Sequence, residues 1–303
     1  MHVRSVIAVA ALAVSSIGFT HAQEGPQTVR VVVRADGKNA EVPLTADSLR
    51  VSFNGHDVPV QGVRSLMQSG NAPVEVAVLI DDGLRGNFGI QIADVRKFVQ
   101  GIAGSGASVA IGYMQNGRVL FAQSAFSSDP DTVDKNLRLP MSGAGISGSP
   151  YFCLQDAIKH WPSRSGAQRI VLMITSGIDL YNGPPVPLNQ NSPYVQEAIR
   201  DAQRAGVPVY SIYYGRFDYH PGVGSLSGQS YLGQVADETG AESFNQGSLN
   251  PPSIGPYLKQ FDRDLRQSYV LTFQAGVRKD LAQLKVKSTA GVKLRVQHYA
   301  GGK

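Results

Sequence analysis

Two neighbouring aspartates, Asp81 and Asp82, are the residues of this chain whose type and position best suit chemistry. They follow an apolar, β-branched run, residues 74–80, which predicts a buried parallel strand. Ligand-binding loops of α/β sheets lie at the carboxyl ends of such strands. Clustered carboxylate and hydroxyl oxygens are the ligands that Mg²⁺ and Ca²⁺ prefer. The pair therefore raises the hypothesis of a cation site.

A second apolar run brings further polar groups to the same edge. Residues 170–175 predict another buried strand, which Ser176 and Asp179 follow. A remodelled metal site would consist of Asp81, Asp82, Ser176 and Asp179, and it would take Mg²⁺ or Ca²⁺. Such a site has few anionic oxygens, so we expect no cofactor and keep the metal site as the alternative.

The elements that position these residues have a regular order. Within residues 71–267, apolar stripes at helical spacing alternate with short apolar strands. Val195, Ile199 and Ala202, for example, form one helical face that ends at Gly206. Alternation of this kind predicts an α/β fold with a doubly wound, mostly parallel sheet and helices on both faces.

The two flanks of this region have a different pattern. Residues 23–70 and 268–303 show the period-two alternation of antiparallel strands. Neither flank is long enough to bury a core by itself. We expect them to pair into one small β-sandwich with the α/β domain inserted between them. The alternative is that they extend opposite edges of the central sheet.

The order of these segments resembles a von Willebrand factor type A (vWA) domain. Residues 78–81 resemble its first strand, 154–158 the helix after its threonine loop, and 170–179 its later aspartate-bearing strand. With 44–49 and 265–271 in the flanks, the chain resembles more closely a group of secreted VWFA-related proteins abundant in acidobacteria. This resemblance implies a Rossmann-like fold that binds partners at the carboxyl ends of its strands.

The metal-ion-dependent adhesion site of that family is degenerate in this chain. Members that bind Mg²⁺ use a D-x-S-x-S loop, a threonine from a second loop and an aspartate from a third. Here Gly83 and Arg85 replace the two serines, Phe152 aligns with the threonine, and Ser176 aligns with the last aspartate. The departures predict a binding face that works without a metal.

Two points at this site stay open from the sequence. Ser147 or Ser149 replaces the missing threonine only if its loop is rearranged. Arg85 is permanently charged and neutralises Asp81 and Asp82 if it lies within reach. In the other interpretation Arg85 points to solvent and Asp81 caps a turn or the following helix.

Two Gly- and Pro-rich loops, residues 179–193 and 216–229, follow strands and are expected at the same face. With Tyr213 and Tyr214 they predict an aromatic surface suited to contact with a protein or a cell-envelope component. The predicted partner-binding face consists of Asp81, Asp82, Arg85, Ser149, Ser176, Asp179, Tyr181, Phe217, Tyr219 and His220.

Enzymatic function has little support in the sequence, which lacks the common catalytic and phosphate-binding motifs. Ser176 before Gly177 resembles a nucleophile turn, but no histidine can be assigned to it, so a serine hydrolase is a remote alternative. Cys153 is the single cysteine, and we expect it to be a buried, inert thiol. The expected function is a non-enzymatic protein-interaction module of the adhesion or scaffold type.

The first 22 residues have the pattern of a secretory signal peptide. A short basic start precedes an apolar stretch, and cleavage is expected near Ala22. No later stretch is long enough to span a bilayer. The formal net charge of +5 is spread along the chain, so nucleic acid is not implied as a partner. We expect a mature protein in the periplasm or outside the cell.

Overall fold

The computed structural model describes residues 27–67, 73–84, 88–143, 146–163, 166–183, 190–215, 223–247, 249–276 and 280–301. Its strands are β1 (Gln27–Asp36), β2 (Leu49–Phe53), β3 (His56–Val58), β4 (Val60–Ser65), β5 (Val74–Asp81), β6 (Ala107–Gln115), β7 (Arg118–Phe121), β8 (Gln168–Thr175), β9 (Val209–Tyr213), β10 (Ser243–Phe244), β11 (Ser268–Ala275), β12 (Ala282–Ser288), β13 (Lys293–Val296) and β14 (Tyr299–Ala300). Its helices are α1 (Ile92–Gly104), α2 (Pro130–Lys135), α3 (Pro150–Lys159), α4 (Pro193–Ala205), α5 (Val223–Thr239) and α6 (Gly255–Arg266).

A six-stranded sheet forms the centre of the molecule. Its strand order is β10-β9-β8-β5-β6-β7, and every pair is parallel except β6 with β7. All residues of β5 are buried, which explains an apolar run without alternation. Val76, Val78 and Ile80 pack into one core layer, and Ala77 and Leu79 pack into the layer on the opposite face. The predicted doubly wound α/β sheet is confirmed.

The flanks form two antiparallel four-stranded sheets, ordered β13-β1-β11-β4 and β14-β12-β2-β3. Each sheet combines strands from both ends of the chain, since β1 pairs with β11 and β2 pairs with β12. The sheets share an apolar core, in which the rings of Phe53 and Phe273 lie 5.6 Å apart. The predicted β-sandwich is confirmed, and the flank strands that are described do not extend the central sheet.

The sandwich and the α/β part also share a core. Val32 and Val270 point away from the sandwich and pack among the residues beneath α1 and α6. On the same side of β1 the buried guanidinium of Arg34 pairs with Asp264 on α6, and its Nη2 lies 2.5 Å from Glu242. The described parts of the chain thus pack as one body around β1 and β11.

Helix boundaries agree with the signals in the sequence. Ser192 caps α4, because its Oγ accepts the backbone N–H groups of Tyr194 and Val195. The helix ends at Gly206, whose φ of +64° is a left-handed conformation that glycine adopts without strain. No helix in the described part of the chain has both the length and the apolar character that crossing a membrane requires.

Candidate functional site

Asp81 is the last residue of β5 and lies in a ring of hydroxyl and amide donors. Its Oδ1 accepts the N–H of Gly83 at 3.0 Å. Its Oδ2 accepts the hydroxyl of Ser147 at 3.2 Å and that of Thr175 at 2.9 Å. All three side chains are buried. Asp81 therefore joins the ends of β5 and β8 to the loop before α3.

Asp82 is held by a separate set of donors, from the loop between α2 and α3 and from Gln115 at the end of β6. Arg138 binds it in bidentate fashion, with Nη1 2.6 Å from Oδ1 and Nη2 3.3 Å from Oδ2. The hydroxyl of Ser142 donates to Oδ2 at 2.8 Å and the N–H of Met141 donates to Oδ1 at 3.1 Å. The amide of Gln115 completes the set. Burial raises the pKa of Asp82, but these hydrogen bonds outweigh it and hold the pKa below its usual value.

Arg138 is itself fixed in place by Tyr113. Its guanidinium lies over the Tyr113 ring, 3.6 Å from the centroid. The Tyr113 hydroxyl accepts the N–H of Arg138 at 2.6 Å and donates to its carbonyl at 2.8 Å. Nothing in the spacing of the sequence marks Arg138, which follows Asp82 by 56 residues. Arg85, for which the sequence left open a neutralising role at Asp81 and Asp82, lies outside the described part of the chain.

The loop before α3 brings Ser147, one of the two serines considered in place of the threonine, to Asp81. The hydroxyl of Ser147 donates to Asp81 Oδ2 from this loop. Ser149 stands at the N-cap position of α3 but makes no capping bond. Its buried Oγ has no hydrogen-bond partner in the part of the chain that the structure describes. Cys153 is buried as predicted, and burial, together with Asp81, raises the pKa of its thiol.

Asp179 supports the neighbouring loop. Its Oδ2 accepts the hydroxyl of Ser192 at 2.7 Å, and its Oδ1 accepts the N–H of Tyr181 at 3.1 Å. Because Ser192 caps α4, Asp179 links the loop after β8 to the start of that helix. This carboxylate is used to shape the loop.

The side-chain oxygens at this site do not suit the coordination of a divalent cation. Asp82 is neutralised by Arg138, and Asp179 is engaged with the start of α4. Among the described residues, Asp81 lies between amide and hydroxyl donors, whereas hard cations need several anionic oxygens. Within the described residues, no group of three or more His, Cys, Asp and Glu side chains is arranged to hold a metal.

The burial of the predicted face residues requires a correction. Five of them lie below the surface and cannot touch a partner directly: Asp81, Asp82, Ser149, Ser176 and Asp179. Tyr181 is 61% exposed. Tyr213 and Tyr214 are buried, because their rings pack into the two core layers on opposite faces of the sheet. Arg85, Phe217, Tyr219 and His220 lie outside the described residues.

Exposed apolar side chains concentrate at the carboxyl ends of the parallel strands. The described residues include ten exposed large hydrophobic side chains. Seven of these lie in loops or first helical turns at that end: Ile90, Leu139, Met141, Leu180, Tyr181, Leu226 and Leu249. Sequence analysis identified only Tyr181 among them, since an isolated apolar residue in a loop carries no periodic signal.

The sequence matches no protein-family model and no curated protein. Its fold is similar to several solved structures. The vWF domain of the type V pili tip protein Mfa5 from Porphyromonas gingivalis is 12% identical, with a TM-score of 0.42, and the match covers 65% of this chain and 95% of that one. An aerotolerance-related membrane protein from Bacteroides fragilis is 10% identical, with a TM-score of 0.42, over 63% and 98% of the two chains. The pilus adhesin SpaC from Lactobacillus rhamnosus GG is 10% identical, with a TM-score of 0.47, over 89% of this chain and 47% of that one.

Proposed function

We propose that this chain is a secreted, non-enzymatic interaction module that binds a partner protein of the cell envelope without a bridging cation. The contact surface in this proposal is the apolar patch formed by Ile90, Leu139 and Met141. These side chains are 74%, 50% and 63% exposed. Leu139 and Met141 share one loop, and a Cβ at Gly89, next to Ile90, would lie 4.0 Å from Leu139 Cδ2. Neighbouring exposed apolar side chains are typical of protein-binding sites.

The main observation behind this proposal is that Asp82 holds the loop that contains Leu139 and Met141. The bonds from Arg138, the Met141 amide and Ser142 to one buried carboxylate fix the loop that presents Leu139 and Met141. A loop that is ordered before binding loses less conformational entropy in the complex. The carboxylate next to the degenerate metal position thus serves to hold an apolar contact loop.

A second observation supports independence from metal. In a cation-bridged contact, the metal binds carboxylates of the module and one carboxylate of the partner. Here Arg138 supplies the positive charge at Asp82, and it is bound on both carboxylate oxygens. A buried carboxylate whose two oxygens are both bonded to a guanidinium is a poor ligand for a cation.

The two alternatives make different predictions. A metal-dependent module would use the remodelled site of Asp81, Asp82, Ser176 and Asp179. Mg²⁺, Mn²⁺ or Ca²⁺ would then bind with micromolar affinity in calorimetry and lose this affinity in Asp81→Ala. A serine hydrolase would react with a fluorophosphonate at Ser176. That residue is only 3% exposed, which favours the non-enzymatic proposal.

Proximity labelling in the native envelope tests the proposed contact. The full chain, fused to a labelling enzyme, should mark the same partner with and without EDTA. The double variant Leu139→Ser and Met141→Ser should lose at least 90% of that labelling, because the apolar contact is removed while the Asp82 anchor is kept.

Leu120→Ser is the matched control, since Leu120 is 52% exposed but lies on the edge strand β7. Its labelling should equal that of the unchanged chain. Labelling that disappears in EDTA would instead support the metal-dependent alternative. Unchanged labelling in the double variant would place the contact elsewhere on the molecule.

A further inference from the structure

A cleft of about 830 Å³ lies between α3 and α4, separate from the apolar patch. It opens beside Phe152 and Tyr181 at the carboxyl-end face and continues to His160 and Arg204 at the far ends of the two helices. Its volume is in the range of small-molecule sites, which are concave and combine aromatic side chains with a few placed polar groups.

Aromatic rings form one end of the cleft. The centroid of Phe152 lies 5.1 Å from that of Tyr181 and 4.9 Å from that of Tyr194. Tyr181 is exposed, but it is held on several sides: its N–H bonds to Asp179, and its ring lies so close to Gly148 that a Cβ there would be 3.0 Å away. An exposed ring with a fixed position is suited to stacking against a ligand with little loss of entropy.

Polar side chains line the rest of the cleft and are ordered by bonds among themselves. Gln155 Nε2 donates to Asp201 Oδ2 at 2.9 Å, and Arg204 Nη1 donates to Asp201 Oδ1 at 3.1 Å. On α3, the ring of His160 lies 2.9 Å from Asp156. Each bond uses only part of the capacity of these groups, because a guanidinium has five N–H donors and an amide has a further oxygen.

The charges around the cleft balance one another. Two carboxylates, Asp156 and Asp201, line the cleft together with two cations, Lys159 and Arg204, and Arg204 pairs with Asp201. A strongly anionic or cationic ligand would find no uncompensated partner here. A neutral ligand with many hydroxyl groups can instead pair each hydroxyl with a carboxylate, amide or guanidinium, and it can place an apolar ring face on Tyr181.

We propose that the α3–α4 cleft binds a neutral saccharide, with one sugar ring stacked on Tyr181 and its neighbours hydrogen-bonded to Gln155, Asp201 and Arg204. The site goes beyond the protein contact proposed above and uses none of its three apolar residues. A saccharide site beside a protein-binding patch would allow the module to hold an envelope glycan and a partner protein together.

Binding of the full chain to a printed array of neutral, sialylated and sulfated oligosaccharides tests the site, followed by calorimetry with the best neutral glycan. We expect neutral glycans to bind. The affinity should fall at least tenfold in Tyr181→Ala and in Gln155→Ala, and it should stay within threefold in Tyr181→Phe, which keeps the stacking ring.

Two matched variants serve as controls. Tyr299→Ala removes an exposed tyrosine of the sandwich, and Gln196→Ala removes a glutamine of α4 that bonds to Gln234 on α5. Both should leave glycan affinity unchanged, as should the double variant of Leu139 and Met141, so that failure of either proposal is recognised separately. The saccharide proposal is overturned if no neutral glycan binds, if only charged glycans or peptides bind, or if Tyr181→Ala binds like the unchanged chain.

Discussion

At Asp82 the guanidinium of Arg138 neutralises a buried carboxylate and joins separate loops. Charge-assisted, bidentate hydrogen bonds are roughly twice as strong as neutral ones. Arg138 is therefore more than a surface ion pair, because its carboxylate partner is completely buried. The position of Asp82 also fixes Met141 and Ser142, so one residue controls the shape of the proposed contact loop.

We predict that Asp82→Asn lowers the free energy of unfolding by about 2 kcal/mol at pH 7, because the bonds from Arg138 lose their charged acceptor. The native pKa of Asp82 lies below its value in the unfolded chain, about 3.9 for an aspartate. The stabilisation is therefore present above about pH 4 and is lost as the pH falls through the native pKa. Urea unfolding at several pH values should show the gap between the two proteins closing below pH 4. Asp57→Asn, at an exposed position on β3, should show no such gap. A gap of equal size at pH 7 and pH 3 would contradict the assignment.

Helix α5 crosses the loop after β8 at two glycines, one in the loop and one in the helix. Gly177 has a φ of +68°, and a Cβ at that position would lie 2.5 Å from the carbonyl oxygen of Gly228. A Cβ at Gly228 would in turn lie 2.1 Å from the carbonyl oxygen of Ser176. The helix backbone thus presses directly on the loop that carries Ser176 and Asp179, and only glycine permits this approach.

We predict that Gly228→Ala destabilises the protein by about 2 kcal/mol, because α5 or the loop must move to accommodate the methyl group. Gly233→Ala in the same helix should instead stabilise it by up to about 1 kcal/mol, since a Cβ there meets nothing within 4 Å and alanine favours the helix. Thermal unfolding of the two variants measures both effects. Equal changes of the same sign would mean that the crossing is looser than its geometry indicates.

Elements were predictable from the sequence where burial imposes a period. The continuous apolar run of β5 and the helix stop at Gly206 gave correct predictions, because both reflect local constraints on backbone and burial. Arg138 and Thr175 were missed for a different reason. Arg138 reaches Asp82 only through the tertiary fold, and Thr175 precedes the position that aligns with the family's aspartate. Contacts between distant loops leave no periodic trace in a single sequence.

For the whole molecule, the defining feature is an α/β domain inserted into a sandwich whose sheets combine both ends of the chain. The flank pattern predicted that pairing because neither end alone could bury a core. It did not predict that β1 would also seal the α/β core on its other face. Val32 and Arg34 on that face turn the sandwich into a support for the domain. Such a buried charge was invisible in the sequence, where Arg34 fits an exposed strand position.

The ion pair of Arg34 on β1 and Asp264 on α6 is expected to stabilise the junction between the sandwich and the α/β domain. Both side chains are buried, so Arg34→Met leaves a carboxylate without its charge partner and should cost about 3 kcal/mol. Replacing both residues, Arg34→Met with Asp264→Leu, removes the uncompensated charge and should recover most of the loss. Urea unfolding, followed by the fluorescence of Trp161, the single tryptophan, measures the stability of the unchanged chain, the single variant and the double variant.

The exposed pair of Arg200 and Glu197 is the control, and Arg200→Met should change stability by less than about 1 kcal/mol. If Arg34→Met behaves like Arg200→Met, the ion pair does not join the sandwich to the α/β domain. If the double variant is as unstable as Arg34→Met, the loss comes from packing of the arginine stem and not from its charge.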